Sequence, residues 1–440
     1  MAFNKEETNM KNHLIFVTAF LLMTLSKSIN AQDWPQFLGP ERNSTSLQKG
    51  ILRTWPETGP EVLWTANIGI GYGGPVVKNS KAYLLDRDDK GNDNMRCFDL
   101  SSGNELWNFS YEASGSMPFP GSRSVPVADG NFVYSCGQNG DLYCFDTSTH
   151  KPVWNKNIWK DFGGDRVPMF GISQCPLIYE DLLILASQAP NTGIVAYEKL
   201  TGNVKWTTPT LGPVGYVSPT IIKIDGKDHV VMVTASTRES DGNVVGIDPL
   251  TGKILWKFTN WQCGYPSTIA VDAGKNKVLV LGGYEVGAVM LQVEKNEDGQ
   301  YGTKELFRTE EFGAHTLPAI LHEGYFYAQY GTNSRRDGLA CMSMDGQIMW
   351  KTKREPSFDK GSLILVDGLL LGTDGATKLY LIEPDPSAFK PIASAELLEK
   401  GGGNSSGVGG ATQNWAPIAL SDGKLLIRDQ KRLMCVKVVQ

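Results

Sequence analysis

The sequence predicts an all-β protein: an eight-bladed β-propeller of four-stranded antiparallel blades, its ring closed by N- and C-terminal strands that share a blade. Three observations carry this expectation. A segment of strand, tight turn and Trp-ended strand recurs about every 50 residues. The 440 residues include 48 Gly, 11 Trp and 15 Tyr, without the long Ala/Leu/Glu stretches that helices need. The repeat series also opens on an orphan fourth strand and closes on a blade of three.

The repeat reads CFDLSSGNELW (Cys97–Trp107), CFDTSTHKPVW (Cys144–Trp154), AYEKLTGNVKW (Ala196–Trp206) and GIDPLTGKILW (Gly246–Trp256). In all four the Trp follows the acid (Asp99, Asp146, Glu198 or Asp248) by eight residues. A shortened copy, CMSMDGQIMW, ends at Trp350; another ends at Phe307; EVLW ends at Trp64 with no strand before it. Successive marks lie 43 to 52 residues apart. Upstream of each runs a Gly/Pro loop, an apolar strand, a Gly turn and a second strand, as in Gly73–Asp86, Ser124–Gly137 and Ser173–Ser187. One such sheet cannot bury both its faces, so units must stack, and a Trp-marked four-stranded repeat of this length is a propeller blade.

The final segment, Ala416–Gln440, supplies three strands and stops where a Trp strand is due. Glu61–Trp64 is that strand, and pairing the two removes the free edges of a stacked array. The expected organisation is one propeller domain over 61–440, preceded by an extension over 32–60. Within the motif, Asp and Thr bond local backbone N–H groups, and Gly252 takes the left-handed conformation. Trp64, Trp107, Trp154, Trp206, Trp256 and Trp350 then lie in outer strands. There they pack between blades as structural docking residues and donate their indole N–H groups to backbone carbonyls.

Residues 1–31 read as an export signal: Lys11, the apolar run Leu14–Leu25, and a small residue at a cut after Ala31, with Met10 as an alternative start. The run is too short to span a bilayer, which takes about 20 residues. The first cysteine is Cys97, so no lipid-attachment Cys follows the cut. A soluble, monomeric, periplasmic or extracellular chain without a transmembrane segment is expected. The formal net charge is −5, and no Lys/Arg run is long enough for nucleic acid. Cys97, Cys144, Cys341 and Cys435 stand in separate repeats as small apolar residues. A two-residue turn at Asn139-Gly140 would set Cys136 opposite Tyr143 and Cys144 opposite Ser135, on opposite faces, so no disulfide is expected. Asp86-Arg87-Asp88-Asp89 reads as a solvated charge run. His150, His229, His315 and His322 are scattered, and no HExxH, P-loop or G-x-S-x-G motif occurs; no metal site is read from the residues.

The D-x-x-T-G-x-x-x-W repeats resemble the tryptophan-docking motifs of the PQQ-binding-like, quinoprotein-type β-propeller family, from Trp34 to the C-terminus. DWPQFLGPERNSTS (Asp33–Ser46) is similar to the opening of exported bacterial members, with Leu38 where those carry Arg. The resemblance implies two alternatives. Some members are alcohol or sugar dehydrogenases that hold pyrroloquinoline quinone (PQQ) and calcium, with a disulfide of adjacent cysteines over the quinone. Others, such as the propeller lipoprotein of the outer-membrane protein assembly machine, bind partners without chemistry. This chain has no Cys-Cys pair and near-minimal blades, and no lipid anchor follows its signal.

A propeller gathers the loops leading into its innermost strands around the channel on one face, the default binding site of the fold. Aligned on the Pro that starts each strand, these lead-in loops offer Tyr72, Arg123, Ser173, Gln174, Tyr216, Tyr265, His315, Lys360, Asn414 and Trp415 as ligand-binding candidates. Aromatics mixed with hydrogen-bonding groups suit a sugar, a quinone or an extended peptide. Arg123 can hold a carboxylate bidentately, and His315 is the candidate base near neutral pH. Asp165-Arg166, in the longest loop, is expected to overhang the channel, and Gly401–Gly410 to act as a connector. The leading expectation is a non-catalytic exported propeller that binds a protein or carbohydrate partner. The alternatives are a PQQ/calcium-dependent dehydrogenase with an atypical site, and a lyase or hydrolase pairing His315 with a ring Tyr.

Overall fold

A computed structural model describes residues 32–115, 117–331, 336–400 and 413–440. The export-signal reading of 1–31 and the connector at 401–410 lie outside the described residues. Strands fall into eight antiparallel sheets, numbered here as blades 1 to 7 over 76–112, 127–157, 177–207, 220–261, 271–309, 320–351 and 363–396. Blade 8 takes Ala419–Ser421, Lys424–Arg428 and Arg432–Lys437, and its fourth strand is Val62–Asn67 from the other end of the chain. Trp64 there pairs with Cys435. The innermost strand of blade 1 packs beside those of blades 2 and 8, so the ring closes.

Inner and middle strands lie between two neighbouring blades and must be apolar on both faces. Leu182–Leu185 is buried throughout, and Lys277–Gly282 is buried after its first residue. Outer strands have one face in water and alternate, as Tyr301–Thr309 does along its whole length. The Trp motif follows from local bonding. Asp248 Oδ1 accepts Leu250 N at 3.0 Å and Thr251 N at 2.9 Å, and Gly252 sits at φ 72°. Four of the six Trp then bond to the corresponding turn of the next blade: the indole N–H groups of Trp64, Trp154, Trp206 and Trp350 donate to Leu100 O, Lys199 O, Pro249 O and Asp385 O at 2.8–3.1 Å. Trp107 instead stacks on His150, ring centroids 5.6 Å apart. Trp256 turns towards His229 Nδ1 at 3.0 Å. Across its own sheet each indole meets a small residue: Cys435, Cys97, Cys144, Ala196, Gly246 or Cys341. The cysteines of the motif leave room for the ring.

All seven cysteines are free and buried, but the register around Asn139-Gly140 differs from expectation. The hairpin closes as a wider loop, with Gly137 N bonded to Asp141 O at 2.9 Å. Cys136 therefore pairs with Leu142, and Cys144 with Tyr134. The two thiols share one face of the sheet as a diagonal pair, about 7–8 Å apart at Cα, beyond the usual disulfide span. The charge run at 86–89 is also corrected. Asp86 and Arg87 end the strand Lys81–Arg87 and are buried. Asp86 accepts Gly69 N at 2.8 Å and pairs with Arg96 at 3.1 Å, while Arg87 pairs with Asp93 at 3.1 Å. Only Asp88 and Asp89 face solvent.

The segment before the first blade strand threads the central channel. Trp34 bridges Val77 of blade 1, Pro35 O accepts Ala128 N of blade 2, and Arg42 reaches Cys175 O and Pro176 O in the loop leading into blade 3. Thr45–Ser46 then adds a fifth, parallel strand to blade 7, and Ile51 bridges Val439 beside blade 8. Phe37 and Leu38 join the core formed by blades 1 to 5. Five blades are thus tied together by one short stretch of chain.

Candidate functional site

At the channel mouth the lead-in loops bring their aromatic side chains into one connected belt. Trp415, from the loop before blade 8, stacks on Tyr72 of blade 1 (centroids 5.5 Å, 29°) and lies 5.6 Å from Phe119 of blade 2. Phe119 contacts Phe170 of blade 3 at 6.3 Å. Phe170 in turn meets Tyr216 of blade 4 at 5.5 Å and Tyr265 of blade 5 at 5.8 Å, both edge to face. Tyr265 continues to Tyr284 at 6.1 Å, and Tyr284 to His315 of blade 6 at 4.4 Å. Lys360 of blade 7 closes the circuit with its Nζ 4.6 Å over the Trp415 ring. Edge-to-face and offset contacts at these distances are the favoured aromatic geometries. Tyr265 and Tyr284 remain 46% and 45% exposed, so the belt presents ring surface to solvent.

Two cations sit on the belt. Arg123 lies 5.7 Å over Tyr72. Its Nη2 donates to Pro118 O at 2.7 Å and Phe119 O at 2.5 Å, and its Nη1 to Gly121 O at 3.3 Å and Met117 Sδ at 3.5 Å. These bonds occupy the four terminal N–H groups of the guanidinium. Arg123 therefore folds its own loop, and a bidentate grip on a ligand carboxylate would require breaking it. Lys360 pairs with Asp359 at 2.8 Å. Burial, then the Lys360 charge, pulls the His315 pKa down to about 3, so its imidazole is neutral at pH 7 and far too weak a base for proton abstraction there. Burial raises the neighbouring phenols, Tyr72 to about 12 and Tyr216 and Tyr284 upward.

Of the ten sequence candidates, Tyr72, Arg123, Tyr216, Tyr265, His315, Lys360 and Trp415 come together. Ser173, Gln174 and Asn414 lie beneath. Gln174 ties Val217 O (2.9 Å) to Ala186 N (3.2 Å), and Asn414 ties Ala376 O (2.6 Å) to Glu399 O (3.0 Å). Ser173 keeps a buried hydroxyl without a partner. Asp165 and Arg166 are exposed; Phe170, from the same loop, is the side chain that joins the belt. Sequence reasoning missed Phe119, Phe170 and Tyr284. The first two lie farther from the strand start than the positions aligned on Pro. Tyr284 comes from the turn between the second and third strands of blade 5, where it holds φ 54°; an aromatic set in the turn GGYEVG was the available signal.

The quinone and calcium that the resemblance implies need a donor set that these side chains do not form. Among the described residues no three His, Cys, Asp or Glu side chains converge as a metal cage. The cysteines stand apart as single buried thiols, and Arg123 is spent on its own loop. The residues at the mouth do not fit that group.

Fold and mouth together define an eight-bladed propeller with tryptophan-docked blades and an aromatic channel face. A family model described as outer membrane protein assembly factor BamB matches residues 91–352, more than half of the chain, which belongs to this PQQ-like propeller family. Similar solved structures include a europium-containing methanol dehydrogenase (TM-score 0.63, 13% identity, 92% of this chain and 89% of that one). Quinohemoprotein alcohol dehydrogenase from Comamonas testosteroni aligns with TM-score 0.60 and 13% identity, over 93% of this chain and 80% of that one. BamB from Moraxella catarrhalis aligns with TM-score 0.56 and 11% identity, over 86% of this chain and 99% of that one. At such identities these likenesses show the fold alone. No curated protein matches the chain. Among the described residues no helix is long and apolar enough to cross a membrane.

Proposed function

We propose that this chain is an exported, non-catalytic propeller that binds a protein or carbohydrate partner through its channel mouth. The observation that carries the reading is the aromatic belt, built from the loops of seven blades and joined to the eighth through Lys360 over Trp415. Aromatic faces with polar tips give contact area at low entropic cost, which is what a partner site needs. The donors Thr316 Oγ1 and Trp415 Nε1 are buried without partners beside Lys360, and would favour a partner that brings hydrogen-bond acceptors. Against catalysis stand the very low pKa of His315 and the commitment of Arg123 to its own loop.

The test places a photo-crosslinking residue at Tyr265 in the mouth and, as control, at Val153 on the outer rim, in the living host. Adducts from Tyr265 that vanish with Trp415→Ala, and none from Val153, are expected. Adducts from the rim alone would move the site elsewhere. In parallel the purified chain is titrated with pyrroloquinoline quinone and calcium, following Trp fluorescence and quinone absorbance. Saturable quinone binding would overturn the non-catalytic reading.

A further inference from the structure

Between the lead-in loops of blades 6 and 7 lies a narrow cleft. Thr316, Gln329, Lys360 and Leu363 line it, and Ser44 of the channel segment completes its wall. Gln329 is committed, its Nε2 donating to Thr373 O and its Oε1 accepting Gly361 N, both at 2.7 Å. The groups left to meet an entering ligand are the Lys360 ammonium and the Thr316 hydroxyl, which is buried without a partner. Lys360 Nζ takes both carboxylate oxygens of Asp359, at 2.8 and 3.0 Å. Asp359 is 35% exposed and Lys360 12%, and an ion pair with one partner in water contributes little. The ammonium is thus already set to receive a carboxylate, from a neighbour that can turn to solvent. Beside the cleft, His315 precedes Thr316 and touches Tyr284, ring centroids 4.4 Å apart. Tyr284 stands at 67° to Tyr265, and Tyr265 at 75° to Phe170. Rings so turned form notches rather than the common plane on which a sugar chain stacks, and the Trp415 ring already carries Tyr72 and Lys360. Met169, next to Phe170 in the chain and 60% exposed, adds an adaptable apolar side chain.

We propose that the mouth binds the carboxyl-terminal end of a protein partner. The terminal carboxylate enters the cleft to meet Lys360 and Thr316, and the last apolar side chain packs into the notches at Tyr284 and Tyr265. The incoming carboxylate replaces Asp359, which turns to water, so Lys360 keeps a counter-charge throughout and Thr316 gains the acceptor it lacks. A chain end is slender enough for the cleft and carries its charge at a fixed distance from its last side chain, which is why terminal carboxylates recur as recognition handles. This inference rests on the reading of the mouth as a partner surface and narrows it.

The test is calorimetric titration of the purified chain with the acetylated tetrapeptide Ala-Ala-Leu-Phe, as the free acid and as the terminal amide. The acid should bind saturably and the amide about tenfold more weakly or less well still. Lys360→Met should erase that difference. Asp359→Asn, at an exposed position where folding is not at stake, should tighten the acid about threefold by removing the competing carboxylate and leave the amide unchanged. Acid and amide that bind alike, an acid that does not bind, or an Asp359→Asn protein no tighter than its parent overturns the proposal. So does digalacturonate binding more tightly than the peptide acid, which would assign the cleft to an acidic sugar. If the peptides fail while crosslinks from Tyr265 still form, the carboxylate site falls and the mouth stands as a partner surface; if those crosslinks are lost too, both readings fall.

Discussion

Gly246 is the sharpest place to test how the blades dock. It pairs with Trp256 across the third and fourth strands of blade 4. A Cβ added there would lie 2.0 Å from Trp256 Cε2 and 2.1 Å from Nε1, against about 3.5–4.0 Å for ordinary contact. The indole, 3% exposed and bonded to His229 Nδ1 at 3.0 Å, would have to shift by about 1.5 Å to restore that separation. Overpacking of this kind costs about 1–3 kcal/mol, and the strained hydrogen bond about 1 kcal/mol more. Gly246→Ala should therefore destabilise by about 2–4 kcal/mol. Spread over the unfolding entropy of a chain this long, that is a Tm lowered by about 2–5 °C, read by calorimetry. Blade 3 is the internal control. Ala196 holds the same place opposite Trp206, whose indole turns outward to Pro249 O at 3.1 Å and leaves room for a methyl group. A Gly246→Ala protein melting within 1 °C of the unaltered one would refute the argument, as would a larger loss from Ala196→Gly.

Two further predictions concern the mouth. His315 has its pKa lowered to about 3 in the folded state, against 6.5 when unperturbed, so the unfolded chain binds more protons between those values and stability falls as pH drops below about 6.5. His315→Gln should recover about 2 kcal/mol at pH 4.5 relative to the same comparison at pH 7.5; equal acid sensitivity in variant and parent, by urea unfolding at both pH values, would contradict the assignment. Arg123→Ala removes the donors to Pro118 O, Phe119 O and Gly121 O, with an expected cost of about 1–3 kcal/mol. It should also open the loop at 117–121 to limited proteolysis. Cleavage no faster than in the parent would show that the guanidinium does not hold the loop.

The repeat grammar made the fold legible because each of its parts acts locally. The acid caps a turn through nearby N–H groups, the Gly fills the left-handed position, and the Trp falls at a fixed distance in the outer strand. Stacking follows from the need to cover both faces of every sheet. The closing strand was legible for the same reason: Glu61–Trp64 is the end of a motif whose first half stands at the other end of the chain. The hairpin at Asn139-Gly140 shows where local signals fail. Asn-Gly favours a two-residue turn, yet Gly137 and Asp141 close a wider one, and one step of register changed which face the thiols share. Asp86 and Arg87 failed differently: a run of four charges looks solvated until the partners that bury two of them, Arg96 and Asp93, are brought in from the next strand.

The sequence by itself determined the blade count, the ring closure and the place of each motif Trp in an outer strand, since these depend on spacing and on contacts between consecutive units. It also put Tyr72, Arg123, Tyr216, Tyr265, His315, Lys360 and Trp415 in the lead-in loops. Only the tertiary structure decided what those residues do there. It drew Phe119, Phe170 and Tyr284 into the belt, turned Arg123 onto its own loop, and buried His315 beside Lys360 until it ceased to be a useful base. It also carried residues 33–52 through the channel, where Arg42 meets a lead-in loop more than 130 residues away. Side-chain direction, burial and charge compensation depend on every neighbour at once, and no repeat spacing encodes them.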